Sequence, residues 1–143
     1  MRVSDVMTPH VQFVHPEQTL QQAATLMAEL DIGALPVGEN NRLVGMITDR
    51  DISIRAVAEG RPPGTKVREI MTPSVKYCYE DEKVDHVAHN MGDIQVRRLP
   101  VVDSDRQLVG IVTVGDLAKK RPDAAGEAIK AVCERREPDE ATA

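Results

Sequence analysis

Two stretches decide how this chain is read: Gly45-Met46-Ile47-Thr48-Asp49-Arg50-Asp51 and Gly110-Ile111-Val112-Thr113-Val114-Gly115-Asp116. Both run Gly, two apolar residues, Thr, two variable residues, Asp, and both follow Leu-Val (Leu43-Val44 and Leu108-Val109). An apolar run ending in Thr and followed by Asp predicts a strand that feeds the first turn of a helix. Free backbone N–H groups there, beside a hydroxyl and a carboxylate, can hold the hydroxyls and phosphates of a ligand. The arrangement is written twice.

Working outward, the duplication extends over most of the chain. Asp5-Val6-Met7-Thr8-Pro9 matches Glu69-Ile70-Met71-Thr72-Pro73 at an offset of 64, and the same offset carries Leu20 onto Val84, Met27 onto Met91 and Pro36 onto Pro100. One residue is then inserted, so Thr48 falls on Thr113 and Asp51 on Asp116 at an offset of 65. Agreement over a whole unit is the signature of an internal repeat.

Within repeat one, residues 11–14 are β-like. Thr19 and Gln22 form a capping box, after which Leu20, Ala23, Ala24, Met27 and Leu30 share one helical face. The helix is expected to stop near Asp31-Ile32-Gly33, where Gly suits a C-terminal turn. A hairpin is expected over 35–48, a second helix over 49–58, and Gly60-Arg61-Pro62-Pro63-Gly64 as the linker. Repeat two follows the same plan, with Asp81 or Glu82 expected to start its first helix and Val84, Val87, Ala88 and Met91 as its buried face. Each unit thus offers a three-stranded sheet and two helices. About 60 residues are marginal alone, so two copies are expected to share a core. The expected fold class is α+β: two β-α-β-β-α repeats packed with pseudo-twofold symmetry, over 1–64 and 65–122. A tail over 123–143 carries a helix across 124–136, where Ala125, Ile129, Val132 and Cys133 sit at near-helical spacing; beyond it, 137–143 reads as frayed.

Composition narrows the function. With 18 Lys+Arg against 23 Asp+Glu in 143 residues, a net charge of −5 gives no global field for nucleic acid. Phe13, Tyr77 and Tyr79 are the complete set of aromatics, too few to stack single strands. Cys78 and Cys133 make no disulfide framework and no zinc spacing. Neither a signal-peptide core nor a membrane-length apolar run is present, so a cytoplasmic chain without a membrane partner is expected. His86 and His89 lie three apart but find no third metal ligand, and no catalytic triad is visible.

A tandem β-α-β-β-α unit with Val-Met-Thr-Pro ahead of it, Leu-Pro-Val inside it and Gly-x-x-Thr-x-x-Asp after it resembles the CBS-domain pair, or Bateman module. The resemblance covers about residues 1–121 and extends to the small stand-alone CBS-pair proteins of bacteria. It implies a sensor rather than an enzyme, binding adenosine-containing ligands such as AMP, ADP, ATP, S-adenosylmethionine or NAD(H), with no cofactor required. It also implies a homodimer acting on a separate effector protein. Position by position, Asp51 and Asp116 match the aspartate that binds the ribose hydroxyls. Thr48 and Thr113 match the threonine on ribose or phosphate, and Gly33-Ala34 the adenine wall.

The chemistry agrees, because a carboxylate accepts both hydroxyl protons of a cis-diol in strong charge-assisted bonds. An Asp beside a phosphate needs cations, and Arg97-Arg98 stand where repeat one has Gly33-Ala34. One site is expected to combine Thr48 and Asp51 with Arg97 and Arg98, helped by Arg50 or Arg55. The other is expected to combine Thr113 and Asp116 with Lys119 or Lys120, and to grip anions less well. The alternatives are plain helix-start carboxylates in a dimerisation scaffold, or a nucleotide-hydrolysing enzyme, for which no general base can be assembled.

Overall fold

The computed structural model describes residues 1–134. In chain order these form β1 (Thr8–Pro9), α1 (Leu20–Leu30), β2 (Ala34–Glu39), β3 (Arg42–Thr48), α2 (Asp49–Asp51) with a π-helical continuation (Ile52–Val57), and α3 (Val67–Ile70). There follow β4 (Thr72–Pro73), β5 (Cys78–Tyr79), α4 (Val84–Asp93), β6 (Arg98–Val102), β7 (Leu108–Thr113), α5 (Val114–Lys120) and α6 (Pro122–Val132). Met1–Pro9, Tyr77–Asp103 and Val109–Ala143 make one compact unit; His10–Lys76 and Ser104–Leu108 make a second. Unit 1 carries a four-stranded sheet in the order β1-β7-β6-β5, and unit 2 a three-stranded sheet in the order β2-β3-β4.

The repeats along the sequence and the compact units divide the chain differently, because the segment leading each repeat folds into the other repeat's unit. In unit 1, Thr8 and Pro9 pair antiparallel with Ile111 and Gly110. In unit 2, Thr72 and Pro73 pair with Met46 and Gly45. The backbone donors follow suit: Val84 N–H reaches Met1 C=O at 3.0 Å, and Leu20 N–H reaches Thr65 C=O at 2.9 Å. These carbonyls satisfy helix-start N–H groups that otherwise lack a partner. Each expected three-stranded sheet therefore gains or completes itself with a two-residue strand from the other repeat.

Each unit has its own buried apolar cluster. Unit 1 buries Val84, Val87, Met91, Val101, Val112 and Leu117 around Val3 from the leading segment. Unit 2 buries Leu20, Ala23, Met27, Leu35, Val37 and Ile47 around Val67 and Ile70. Pleated alternation selects Ile47 and Val112 as inward-facing strand residues, fully shielded from solvent.

Several local expectations need correction. Residues 11–14 form no strand; Val14 alone bridges to Val37, and His15-Pro16 ends the run because Pro has no N–H to donate. On α1, the Thr19–Gln22 box forms, but Ala24 and Leu30 are exposed. Its exit is Asp31 in the left-handed region (φ 54°), a conformation Asp tolerates, rather than Gly33. On α4, Lys83 occupies the cap with no side-chain bond, since the Met1 carbonyl does that work; Glu82 instead accepts from Tyr79 N at 2.7 Å. The helix expected over 49–58 turns π-helical after Asp51.

The tail helix begins at Pro122, the first-turn position that suits Pro. It buries Ala124, Ala125 and Ala128 against α4 and α5, while Ile129 and Cys133 are exposed. A Cβ added at Gly92 would lie 2.9 Å from Ala131 Cβ, so α4 and α6 approach as closely as a missing side chain permits. Arg121 reaches both Asp85 on α4 and Asp123, and these two carboxylates hold its guanidinium above its usual range. The expectations for Arg136 and for 137–143 lie outside the described residues. Among those residues, no helix is long and apolar enough to cross a membrane.

Two measurements follow from this packing. A Cβ at Gly110 would meet the Thr8 carbonyl at 2.7 Å, and one at Gly45 the Thr72 carbonyl at 2.9 Å. Gly110→Ala and Gly45→Ala are each expected to cost about 1–3 kcal/mol in urea denaturation, as forced overpacking does. Burial, and then the Glu82 charge, push the Cys78 thiol up from 9.0 to about 12. A thiol reagent should therefore modify Cys133 in the native chain and Cys78 only after unfolding. Above about pH 9 the unfolded chain loses the Cys78 proton while the folded chain keeps it. Wild type should lose more stability than Cys78→Ala as pH rises towards 12.

Candidate ligand-binding site

In unit 2, β2 and β3 bring Gly33, Ala34, Thr48 and Asp51 together. Ala34 faces Thr48 in register, and the Gly33 carbonyl accepts the Asp49 N–H at 2.9 Å. Thr48 Oγ1 accepts from Asp51 N and Asp51 Oδ2 accepts from Thr48 N, both at 3.0 Å, a reciprocal capping box. The second Asp51 oxygen lies 3.8 Å from Arg55 Nε. Arg55 also donates to the Ile70 carbonyl at 3.2 Å, which ties this helix to the exchanged segment. Arg50 is exposed.

Unit 1 repeats the geometry. Thr113 Oγ1 accepts from Asp116 N and Asp116 Oδ2 accepts from Thr113 N, again at 3.0 Å. The Arg97 carbonyl accepts the Val114 N–H at 3.0 Å, the counterpart of Gly33 with Asp49. The remaining Asp116 oxygen accepts a long bond from Thr8 Oγ1 at 3.4 Å. In both units one carboxylate oxygen is committed to the cap and the other is held loosely.

Around this framework unit 1 opens a cavity of about 310 Å³. Its near walls are Arg97 and Arg98 at the head of β6 and Thr113, Val114 and Gly115 at the turn from β7 into α5. The far wall is α6, through Ile129, Val132 and Cys133. Arg97 and Arg98, expected from the sequence to serve Thr48 and Asp51, line this cavity together with Thr113 of their own repeat. Asp116 and Lys119 are not among the lining residues; Lys119 is exposed at the end of α5, and Lys120 donates to the Asp5 carbonyl at 2.6 Å. The α6 wall was missed, although Ile129, Val132 and Cys133 already stood at i, i+3 and i+4.

The family model for the CBS domain matches residues 3–56 and 67–123. The chain belongs to the CBS domain family. The CBS domain-containing protein YhcV of Bacillus subtilis is 43% identical over 129 residues, spanning 89% of this chain and 91% of its own. Among solved CBS-pair structures, Hypoxic Response Protein I with two coordinated zinc ions superposes with a TM-score of 0.77 at 40% identity, over 85% of this chain and 100% of that one. CBSX2 in complex with AMP gives 0.74 at 30% identity, over 85% and 96%. The CBS pair of MJ0100 with 5′-methylthioadenosine and S-adenosylmethionine gives 0.73 at 35%, over 83% and 94%. Relatives named as enzymes match through their CBS portions alone. The homoserine O-acetyltransferase of Methanosarcina acetivorans does so over 20% of its length, and the inosine-5′-monophosphate dehydrogenase of Methanocaldococcus jannaschii over 25%.

In the CBS repeats here, His86 lies 3.4 Å from Glu82 and His89 3.2 Å from Asp93. Among the described residues no group of three or more His, Cys, Asp or Glu is placed to hold a metal. The capping boxes yield a prediction that needs no ligand. Thr48→Val and Thr113→Val should each lower unfolding free energy by about 1 kcal/mol, read from urea curves, as lost N-caps do.

Proposed function

We propose that this CBS pair is a regulatory module that binds adenosine-containing ligands, AMP, ADP, ATP, S-adenosylmethionine or NAD(H), and passes their presence to a separate protein. The observation that carries the reading is the unit 1 cavity, lined by two arginines, a threonine and an apolar wall. Its volume of about 310 Å³ sits at the small end of ligand pockets. The AMP, 5′-methylthioadenosine and S-adenosylmethionine complexes of related CBS structures support the ligand class. In this reading Thr48 with Asp51, and Thr113 with Asp116, hold the ribose through the carboxylate oxygen that the caps leave loosely held. Gly33 and Ala34 wall the base in unit 2, and Arg97 and Arg98 take the phosphate in unit 1. No catalytic step is assigned. Arg50 and Lys119, both exposed, supply only a diffuse positive field.

The same proposal includes a second copy of the chain. On α4, Ala88 and Gly92 are buried in the face that packs with α6; their repeat-one counterparts, Ala24 and Ala28, are exposed on α1. Elsewhere in unit 2, Ile54 and Val57 are 51% and 69% exposed on the π-helical segment. We assign these exposed small and apolar residues of unit 2 to contact with a second copy. A ligand that favours one arrangement over another then has a route to the effector.

The test is a melting-temperature panel with AMP, ATP, NADH, S-adenosylmethionine and 5′-methylthioadenosine on wild type, Asp51→Ala, Asp116→Ala and the double variant Arg97→Ala/Arg98→Ala. At about a hundredfold excess over Kd, a bound ligand should raise Tm by about 5–10 °C. Asp116→Ala should abolish most of the response to the ligand held in the unit 1 cavity, measured against its own unliganded Tm, and Asp51→Ala should remove only what the unit 2 site contributes. The arginine variant should weaken AMP and ATP while sparing uncharged 5′-methylthioadenosine. A flat panel across every compound would leave the scaffold reading in its place.

A further inference from the structure

We infer that α6 is a working wall of the unit 1 ligand site: an adenosine ligand in this cavity is read by, and holds down, the last described helix. The inference rests on the proposed ligand class and adds an element that the CBS repeat does not supply.

The helix has two faces. Its small residues, Ala124, Ala125 and Ala128, are buried against α4 and α5, and the absent side chain of Gly92 lets Ala131 come close. Gln95 Nε2 donates to the Ala131 carbonyl at 3.1 Å, and Arg121 engages Asp85 where the helix begins. So fastened, α6 presents its larger apolar residues, Ile129 and Val132, to the cavity lined by Arg97 and Arg98. Ile129 stays 47% exposed, a large apolar side chain facing open space rather than core. Apolar side chains on one wall and two arginine residues on another match a flat heterocycle joined to an anion.

This wall is peculiar to one repeat. The family match ends at residue 123, before Ile129, Val132 and Cys133. In repeat one the chain after Val57 runs into the Gly60–Gly64 linker, so Thr48 and Asp51 have no equivalent helix following them in sequence. The two sites thus differ by a whole element. A ligand that touches α6 only when the helix is docked must favour the docked state by mass action. Occupancy of this cavity then sets the position of α6.

Cys133 reports on this directly, because it lines the cavity and is exposed while Cys78 is buried. In the full chain at pH 8, the rate of Cys133 modification by a thiol reagent is followed by mass spectrometry, without and with saturating AMP. Calorimetry on the same samples measures AMP binding. The expected result is a slowing of about tenfold or more, since reaction then requires release of AMP or of the helix. Ile129→Ala/Val132→Ala should weaken AMP about five- to tenfold with its unliganded Tm near wild type, as truncating part-exposed apolar contacts does. AMP that binds by calorimetry yet leaves the Cys133 rate and the variant's affinity unchanged overturns the wall and leaves the sensor reading standing. No heat from AMP, ATP or S-adenosylmethionine, with no Tm shift, removes both.

Discussion

Everything in this fold depends on a reciprocal exchange of leading segments. Met1 satisfies the first turn of α4 as Thr65 satisfies that of α1, and Arg2 bridges Lys83 as Lys66 bridges Thr19. Every partner pair is displaced by 64 residues, so the exchange obeys the duplication to the level of single hydrogen bonds. Its consequence is that neither repeat is complete by itself. Unit 2 without residues 65–76 loses β4, α3 and the buried Val67 and Ile70; unit 1 without residues 1–9 loses β1 and Val3. A repeat of about 60 residues cannot afford such losses.

The exchange also explains the glycine in the Gly-x-x-Thr-x-x-Asp frame. Gly45 and Gly110 sit where a Met-Thr-Pro segment crosses, and the Thr72 and Thr8 carbonyls leave no room for a Cβ. Three residues further on, the strand ends in a threonine whose hydroxyl caps the helix and an aspartate that returns the bond. The motif is thus a structural device before it is a binding one. The carboxylate is aimed by its bond to the threonine N–H, and its second oxygen keeps only a distant partner. In the proposed function, ligand chemistry is built on a group the fold already holds still.

What the sequence made legible was local or periodic. The Thr19–Gln22 box, the Val84, Val87, Ala88 and Met91 face and the hairpins all follow from residues within one or two turns of each other. What it hid was a partner supplied from far along the chain. The cap of α4 was sought in Asp81 or Glu82 because a carbonyl from Met1 leaves no trace in the local pattern. Ala24 and Leu30 fit the helical period but lie exposed, since the period reveals a stripe and not what covers it. The exit of α1 went to Asp31 because hydrogen bonding and short side chains make Asp nearly as serviceable as Gly in the left-handed region. Of the proposed site, Thr48, Asp51, Thr113 and Asp116 are marked in the sequence by duplication, whereas α6 has no duplicate to mark it.

That last point bears on how a twinned fold becomes a directional one. Two identical repeats would respond identically, and a ligand could bias nothing between them. This chain breaks the equivalence in two places along the sequence: Arg97-Arg98 in place of Gly33-Ala34, and a helix after α5 where repeat one has a linker. The two changes meet in one cavity, with the arginines on one side and α6 on the other. The charge change alone would alter which ligand binds; the added helix alone would alter only how unit 1 is covered. In the inference drawn above, together they make the covering conditional on the ligand, because the helix that shields α4 and α5 also lines the cavity with Arg97 and Arg98.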